Sequence, residues 1–201
     1  SLSHFVSLFL QLSYFQRIMN PRVVNFQRLL PHQRNAVTEL QRNDWSTVNP
    51  AVVSMPTGSG KSAIIALAPF ILGSSRVLVI APDLELFKQL KKDLIGSPTN
   101  PGAVIFRKLD FIPENQPLPS VEAVRESFDL NEAMLRARDV VLANVGKFHT
   151  LQNAVWQRQL PARLFDLVIV DEAHHLPSNR WLEVLCVFRN QCFFFFFLQV
   201  G

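Results

Sequence analysis

A lysine, a serine and two adjacent carboxylates are the residues of this sequence whose types and spacing best support chemistry. Lys61 and Ser62 follow a glycine-containing loop, and Asp171 and Glu172 follow an apolar run far downstream. An ammonium group and a hydroxyl at a helix start can hold nucleotide phosphates and a magnesium ion. A carboxylate pair can bind the same ion and orient a water molecule for attack on a phosphate. The four residues together predict a site for phosphoryl chemistry.

The loop before Lys61 has the composition that phosphate binding requires. Residues 55–62 read Met-Pro-Thr-Gly-Ser-Gly-Lys-Ser, between apolar runs at 51–54 and 63–68, which predicts a strand, a loop and a helix. Its two glycines let backbone N–H groups approach an anion, and the helix N-terminus adds partial positive charge. The pattern G-x-x-x-x-G-K-[ST] is met except at its first position, Met55. The residues predicted to bind nucleotide are Gln33, Thr57, Gly58, Ser59, Gly60, Lys61 and Ser62.

The acidic pair has two interpretations. It could be an acidic strand end that caps the next helix, or it could be part of a hydrolysis site. The phosphate loop upstream favours hydrolysis, since that chemistry needs both parts. Ser62 and Asp171 are then the predicted Mg²⁺ ligands, and Glu172 polarises the attacking water. Zinc binding by the adjacent histidines 174 and 175 is disfavoured, because neighbouring side chains point apart.

Apolar runs that alternate with helical patterns must position these groups. The predicted strands are residues 51–55, 76–81, 103–106, 139–144 and 165–170. The predicted helices are 61–72, 84–94, 146–158 and 181–188, together with one or two amphipathic helices over 121–138. Another helix begins near Pro31, which places Gln33 in its first turn. The Gln33 amide offers the donor and acceptor that the adenine edge needs. This alternation predicts an α/β, doubly wound, mostly parallel sheet with its ligand at the carboxyl ends of the strands.

Composition sets the broad class. The 201 residues are 48% hydrophobic and 18% charged, as in a globular domain of ordinary size, and the net charge of +4 permits a polyanionic partner. Two cysteines make no disulfide framework and no metal-site spacing, which favours a reducing compartment. No signal-peptide pattern or membrane span is found, so we expect an intracellular protein, cytoplasmic or nuclear.

Three regions differ in character. Residues 1–25 are interpreted as an N-terminal extension, either an extra helix or translated upstream sequence, and residues 26–190 as the nucleotide-binding domain. Residues 191–201 contain five consecutive phenylalanines. We interpret this tail as the product of a truncated gene model or missed splice junction, with a buried strand as the alternative, since its length fits one.

From the loop and the Asp171-Glu172-Ala173-His174 sequence, the chain resembles the first RecA-like domain of superfamily 2 helicases and translocases. These segments match motifs I and II, the latter in its DEAH form. Residues 29–33, Leu-Leu-Pro-His-Gln, resemble the family's upstream adenine-reading element, and the family often lacks the first Walker A glycine. The resemblance leans towards the motor subunits of type I and III restriction enzymes.

The resemblance implies an ATP-dependent, nucleic-acid-stimulated ATPase with a P-loop NTPase fold. Its implied cofactors are ATP and Mg²⁺, its implied catalytic residues Lys61, Asp171, Glu172 and His174, and His174 would couple hydrolysis to strand movement. Segments near Pro82 and Asn144 resemble motifs that contact a nucleic-acid backbone, DNA rather than RNA on the branch favoured here.

A Ser-Ala-Thr motif III and the second RecA-like domain are missing from this chain, so we expect the fragment to bind nucleotide with little turnover. The alternatives are a truncated, non-enzymatic nucleotide-binding or interaction module, and a gene-model fragment that does not fold. A kinase or GTPase with the same loop is disfavoured, because no guanine-reading Asn-Lys-x-Asp is present.

Overall fold

The structure is a computed structural model that describes residues 25–42, 51–56, 58–124, 132–145, 164–173 and 192–199, the last segment for its backbone. The helices are α1 (Pro31–Arg42), α2 (Lys61–Ile71), α3 (Leu84–Ile95), α4 (Ile105–Lys108) and α5 (Glu132–Arg136). The strands are β1 (Ala51–Pro56), β2 (Val77–Ala81), β3 (Val121–Ala123), β4 (Val140–Asn144), β5 (Leu167–Val170) and β6 (Cys192–Gln199).

All six strands form one parallel sheet in the order β1-β6-β5-β2-β4-β3. Every residue of β2 and β5 is buried, which explains why both strands are continuous apolar runs. The predicted α/β class with a doubly wound, mostly parallel sheet is confirmed. Because all strands point the same way, the loops that follow β1, β2, β4 and β5 meet at one edge of the sheet.

The phenylalanine run is the backbone of an interior strand. β6 pairs with β1 on one side, where Phe194 is opposite Ala51, and with β5 on the other, where Phe195 is opposite Val170. The strand alternative for this segment therefore describes its structure, and the sheet extends past the boundary predicted at residue 190. β6 also separates β1 from β5 by two strand spacings, roughly 10 Å.

Helix α2 is buried on all sides from Ala63 to Phe70, which its uniformly apolar sequence requires. Helix α1 is amphipathic and buries Gln33, Val37 and Leu40. Helix α3 begins at the position predicted, because the Asp83 carboxylate caps it by accepting a hydrogen bond from the Leu86 N–H at 2.8 Å.

Two sequence-based assignments were wrong. Residues 103–106 were predicted as a strand, but Val104 is the N-cap of the short helix α4, whose Phe106 packs edge-on against Phe70 with ring centroids 6.2 Å apart. A four-residue apolar run does not distinguish a strand from a buried helical turn. The second error concerns residues 121–138, which were predicted to form one or two helices throughout. The first residues of this segment form β3, and within the described part only Glu132–Arg136 is helical. The helices predicted at 146–158 and 181–188 lie outside the described residues.

The amino ends of the strands are cross-linked by short polar side chains. The Asp166 carboxylate accepts hydrogen bonds from the backbone N–H groups of Ser75 and Arg76, at 2.7 and 3.1 Å, and so ties β5 to β2. The Asp139 carboxylate accepts from the Ser120 N–H and hydroxyl, both at 2.7 Å, and ties β4 to β3. These ties fix the strand register at the edge opposite the predicted site.

Candidate nucleotide-binding site

The loop between β1 and α2 has the backbone shape of an anion cradle. Gly58 and Gly60 have φ values of +74° and +80°, a conformation that glycine adopts without strain. Ser59 closes the turn between them, since its N–H and its hydroxyl both donate to the Pro56 carbonyl, at 3.2 and 2.6 Å. Gly60 is the N-cap of α2 and no side chain caps that helix. The first N–H groups of α2 are therefore oriented to meet an anion.

Lys61, which follows the loop after β1, contacts Glu172, which follows β5, although β6 lies between these two strands. The Lys61 ammonium donates to Glu172 Oε1 in an ion pair whose side chains are 14% and 10% exposed. Burial lowers the pKa of Lys61 below its ordinary value of 10.5, and the nearby Asp171 carboxylate opposes that shift. The two halves of the predicted site, separated by more than one hundred residues of sequence, are thus in contact.

The acidic pair is held by its backbone. The Asp171 N–H donates to the Ile80 carbonyl at 3.0 Å, which continues the β5–β2 pairing by one residue. The Glu172 N–H donates to Asp171 Oδ1 at 3.0 Å, and Glu172 has a φ of +50°. A non-glycine residue in this conformation costs about 1 kcal/mol or more and is found most often at functional sites. Both residues are buried, with 4% and 8% of the whole residue exposed.

Gln33 lies against the phosphate loop. Its Nε2 donates to the Ser59 carbonyl at 2.9 Å and to the Gly60 carbonyl at 3.4 Å, while its Oε1 accepts from the Leu30 N–H at 2.9 Å. A Cβ on Gly60 would lie 2.4 Å from Gln33 Nε2, so this contact also requires glycine. Gln33 therefore belongs to the candidate site, where its hydrogen bonds hold the phosphate loop, a role that the sequence did not indicate. Adenine reading by Gln33 stays a prediction.

The structure brings several other predicted residues together. Ser62 lies half-buried in the first turn of α2. Pro82 and Asn144 end up side by side at the site's edge of the sheet, because β2 and β4 pair with Ala81 opposite Asn144. Thr57 and His174 lie outside the described residues. His32 also contacts the loop, since its Nε2 lies 2.9 Å from the Ser59 carbonyl oxygen. This contact was not predicted, although the position of His32 beside Gln33 in the first turn of α1 was a usable signal.

The oxygen donors suit magnesium. The described residues contain no group of three or more His, Cys, Asp or Glu side chains that could hold a metal ion. Mg²⁺ needs no such group, since it is usually bound through one or two protein oxygens, substrate phosphates and water. The Ser62 hydroxyl and the Asp171 carboxylate are ligands of this kind.

Over the same described ranges, no helix is long and apolar enough to cross a membrane.

Comparison with known proteins gives one family and a set of similar folds. The family described as "Type III restriction enzyme, res subunit" matches residues 27–196. No curated protein sequence matches the chain. Among solved structures, the Hef helicase domain of Pyrococcus furiosus has a TM-score of 0.60 and 18% identity, over 89% of this chain and 35% of that one.

Two further structures are similar. The UvsW helicase from bacteriophage T4 has a TM-score of 0.51 and 15% identity, over 84% of this chain and 52% of that one. The SWI2/SNF2 ATPase core of Sulfolobus solfataricus, solved in complex with dsDNA, has a TM-score of 0.58 and 13% identity, over 92% of this chain and 34% of that one. The chain spans about a third to a half of these proteins, and the likeness establishes the fold.

Proposed function

Since the chain belongs to the type III restriction enzyme res subunit family, we propose that it is the ATP-binding half of a nucleic-acid-dependent ATPase of the helicase or translocase type. One observation carries the proposal: the loop lysine, Lys61, and the acidic-pair carboxylate, Glu172, are in contact at the carboxyl edge of the sheet. Ligands of open α/β sheets bind at that edge. A purely structural acidic strand end gives no reason for a lysine from a glycine loop to pack against it.

The proposed roles follow from the chemistry of each group. Gly58, Ser59 and Gly60, with Thr57, surround the phosphates, and Lys61 leaves Glu172 to neutralise phosphate charge. Ser62 and Asp171 would hold Mg²⁺, which would neutralise charge on the phosphate oxygens. Glu172, freed from Lys61, accepts a hydrogen bond from the attacking water and orients it. His174 couples the site to the nucleic acid.

The ion pair links the two halves of the site. An ammonium that moves from Glu172 to a phosphate leaves that carboxylate able to accept a hydrogen bond from water. Triphosphate competes for the ammonium with several negative charges, so binding and release of the Glu172 carboxylate are one event. We propose that this exchange prepares the site for hydrolysis only when nucleotide is bound.

We further propose that a nucleic acid, DNA rather than RNA, runs past Pro82 and Asn144. Their adjacency at the ends of β2 and β4 supports one continuous contact surface. A second RecA-like domain would complete the ATP site, and we place this activity in the cytoplasm or nucleus. The chain alone should then bind nucleotide and turn it over slowly, since an arginine supplied from another domain is worth orders of magnitude in rate.

A titration with a fluorescent ATP analogue in Mg²⁺ tests the proposal. Wild type should bind, and Lys61→Ala should bind at least ten-fold more weakly. Lys92→Ala, an exposed lysine of α3, is the matched control and should bind as wild type does. Equal binding by Lys61→Ala and Lys92→Ala would refute an ATP site at this loop. ATPase activity of the chain supplemented with a second RecA-like domain, with and without DNA or RNA, then separates an ATPase from a nucleotide-binding module that never turns over.

A further inference from the structure

Two neighbouring side chains in the first turn of α1 hydrogen-bond the same carbonyl of the phosphate loop. His32 Nε2 lies 2.9 Å from the Ser59 carbonyl oxygen, and Gln33 Nε2 donates to that oxygen at 2.9 Å. A carbonyl oxygen only accepts hydrogen bonds, so His32 Nε2 is the donor. His32 is exposed and Gln33 is buried, so the two side chains hydrogen-bond the loop from its surface side and from its core side.

The two hydrogen bonds to the Ser59 carbonyl fix the direction of the Gly60 N–H, which an anion would meet. The described peptide bonds are all trans, and in a trans peptide the C=O and N–H point to opposite sides. The Ser59 carbonyl belongs to the same peptide group as the Gly60 N–H. With that carbonyl held towards α1, the Gly60 N–H points away from α1, and no described residue accepts a hydrogen bond from it.

The hydrogen bonds from Gln33 to the loop cannot all persist if Gln33 reads adenine. Both ends of its amide are occupied, since Oε1 accepts from Leu30 and Nε2 donates to Ser59 and Gly60. Turning towards a base would break at least one of these bonds. His32 carries no such second task among its described contacts, so it can hold the Ser59 carbonyl while Gln33 turns.

From this geometry we propose that His32 is a positioning residue for the triphosphate: it orients the Ser59–Gly60 peptide so that its N–H faces the phosphates. The proposal rests on the ATP site proposed above and adds a residue outside the loop to it. His32 touches no phosphate itself. Its loss should weaken binding of the phosphate chain with or without the adenosine attached, by about three- to ten-fold, as expected for one neutral hydrogen bond.

The test uses the 201-residue chain and two probes, inorganic triphosphate as competitor and a fluorescent ATP analogue as reporter. His32→Ala should weaken both, and His32→Gln, whose amide also ends in an Nε2 donor, should stay within about two-fold of wild type. Asn35→Ala, an exposed position in the same helix, is the control and should match wild type. Thermal unfolding of each variant shows whether α1 is intact.

Three results would overturn the proposal. His32→Ala could bind triphosphate as tightly as Asn35→Ala, or His32→Gln could be as weak as His32→Ala. Weak binding by His32→Ala could also coincide with a lowered unfolding temperature that His32→Gln does not restore, which would make the role structural. Lys61→Ala separates this failure from failure of the ATP site. If Lys61→Ala is weakened while His32→Ala is not, the site stands and His32 has no part in it; if wild type binds neither probe, both proposals fail.

Discussion

Replacing Lys61 by methionine and, separately, Glu172 by glutamine should destabilise the folded chain by different amounts. The two side chains form an ion pair that is 14% and 10% exposed, and Asp171 beside them is 4% exposed. Lys61→Met removes the ammonium and leaves two adjacent buried carboxylates. Glu172→Gln leaves Lys61 close to the Asp171 charge, and the glutamine oxygen still accepts a hydrogen bond.

The expected magnitudes follow from that asymmetry. Breaking a fully buried pair by removing one partner costs about 3–5 kcal/mol. Because this pair is part-buried, we expect Lys61→Met to fall at or just below the lower end of that range. Glu172→Gln exchanges an ion pair for a hydrogen bond from the Lys61 ammonium to a neutral amide oxygen, a loss of about 1 kcal/mol. In a chain of this size each kcal/mol lowers the unfolding temperature by about 2–4 °C. The double variant should be more stable than the sum of the two single losses predicts, because the groups interact directly.

Urea unfolding followed by far-UV circular dichroism provides the measurement, with free-energy differences taken from midpoints at unchanged slope. Lys92→Met is the matched control for removal of a lysine charge and should differ from wild type by no more than about 0.5 kcal/mol. Equal losses for the two single variants would contradict the asymmetry. Additivity in the double variant would contradict the ion pair itself.

Three further outcomes follow from the same contacts. Gly60→Ala should reduce stability and ATP affinity more than Gly58→Ala. Alanine is strained at both positions because φ is positive, but only a Cβ on Gly60 would meet Gln33, at 2.4 Å. Combining Gly60→Ala with Gln33→Ala should restore part of the loss in unfolding midpoint. ATP affinity should fall as pH rises through the lowered pKa of Lys61, below pH 10.5, since phosphate binds the protonated amine. In the same titration, the ATP affinity of Lys61→Arg should not depend on pH in this range. If its affinity falls in parallel with that of wild type, the pH dependence comes from another group. Deleting residues 192–199 should abolish ATP-analogue binding and broaden the urea transition, whereas a sharp, wild-type-like transition would show that β1 does not need β6.

The location of the candidate site was largely predictable because its residues belong to local motifs. A glycine loop before Lys61 and an acidic pair after an apolar run each imply a strand end, and parallel strands bring their ends to one edge. What the sequence could not provide was the contact between Lys61 and Glu172, which depends on how many strands separate β1 and β5. The Gln33 contacts were also beyond it, because an amide that suits adenine suits backbone carbonyls equally well.

The errors in the fold have a common physical origin. The apolar run ending at Phe106 and the charged segment that begins at Val121 have local patterns compatible with more than one structure. Tertiary partners decided between them: Phe70 for the first, and strand β4 for the second. The phenylalanine run was misleading for a different reason, since its composition is unusual, but an interior parallel strand only requires consecutive apolar residues.

The position of β6 has a consequence for how the chain is made. In the described sheet β1 pairs only with β6, and Ala51 meets Phe194 across more than 140 intervening residues. A ribosome releases β1 more than 140 residues before β6, so the strand that bears the phosphate loop waits without its described sheet partner while those residues are made. Pairings of such large sequence separation form slowly, and unpaired apolar strands aggregate while they wait. The candidate site is thus assembled only after residues 192–199 have been made, and a nascent chain that stalls before residue 192 is a natural substrate for chaperones.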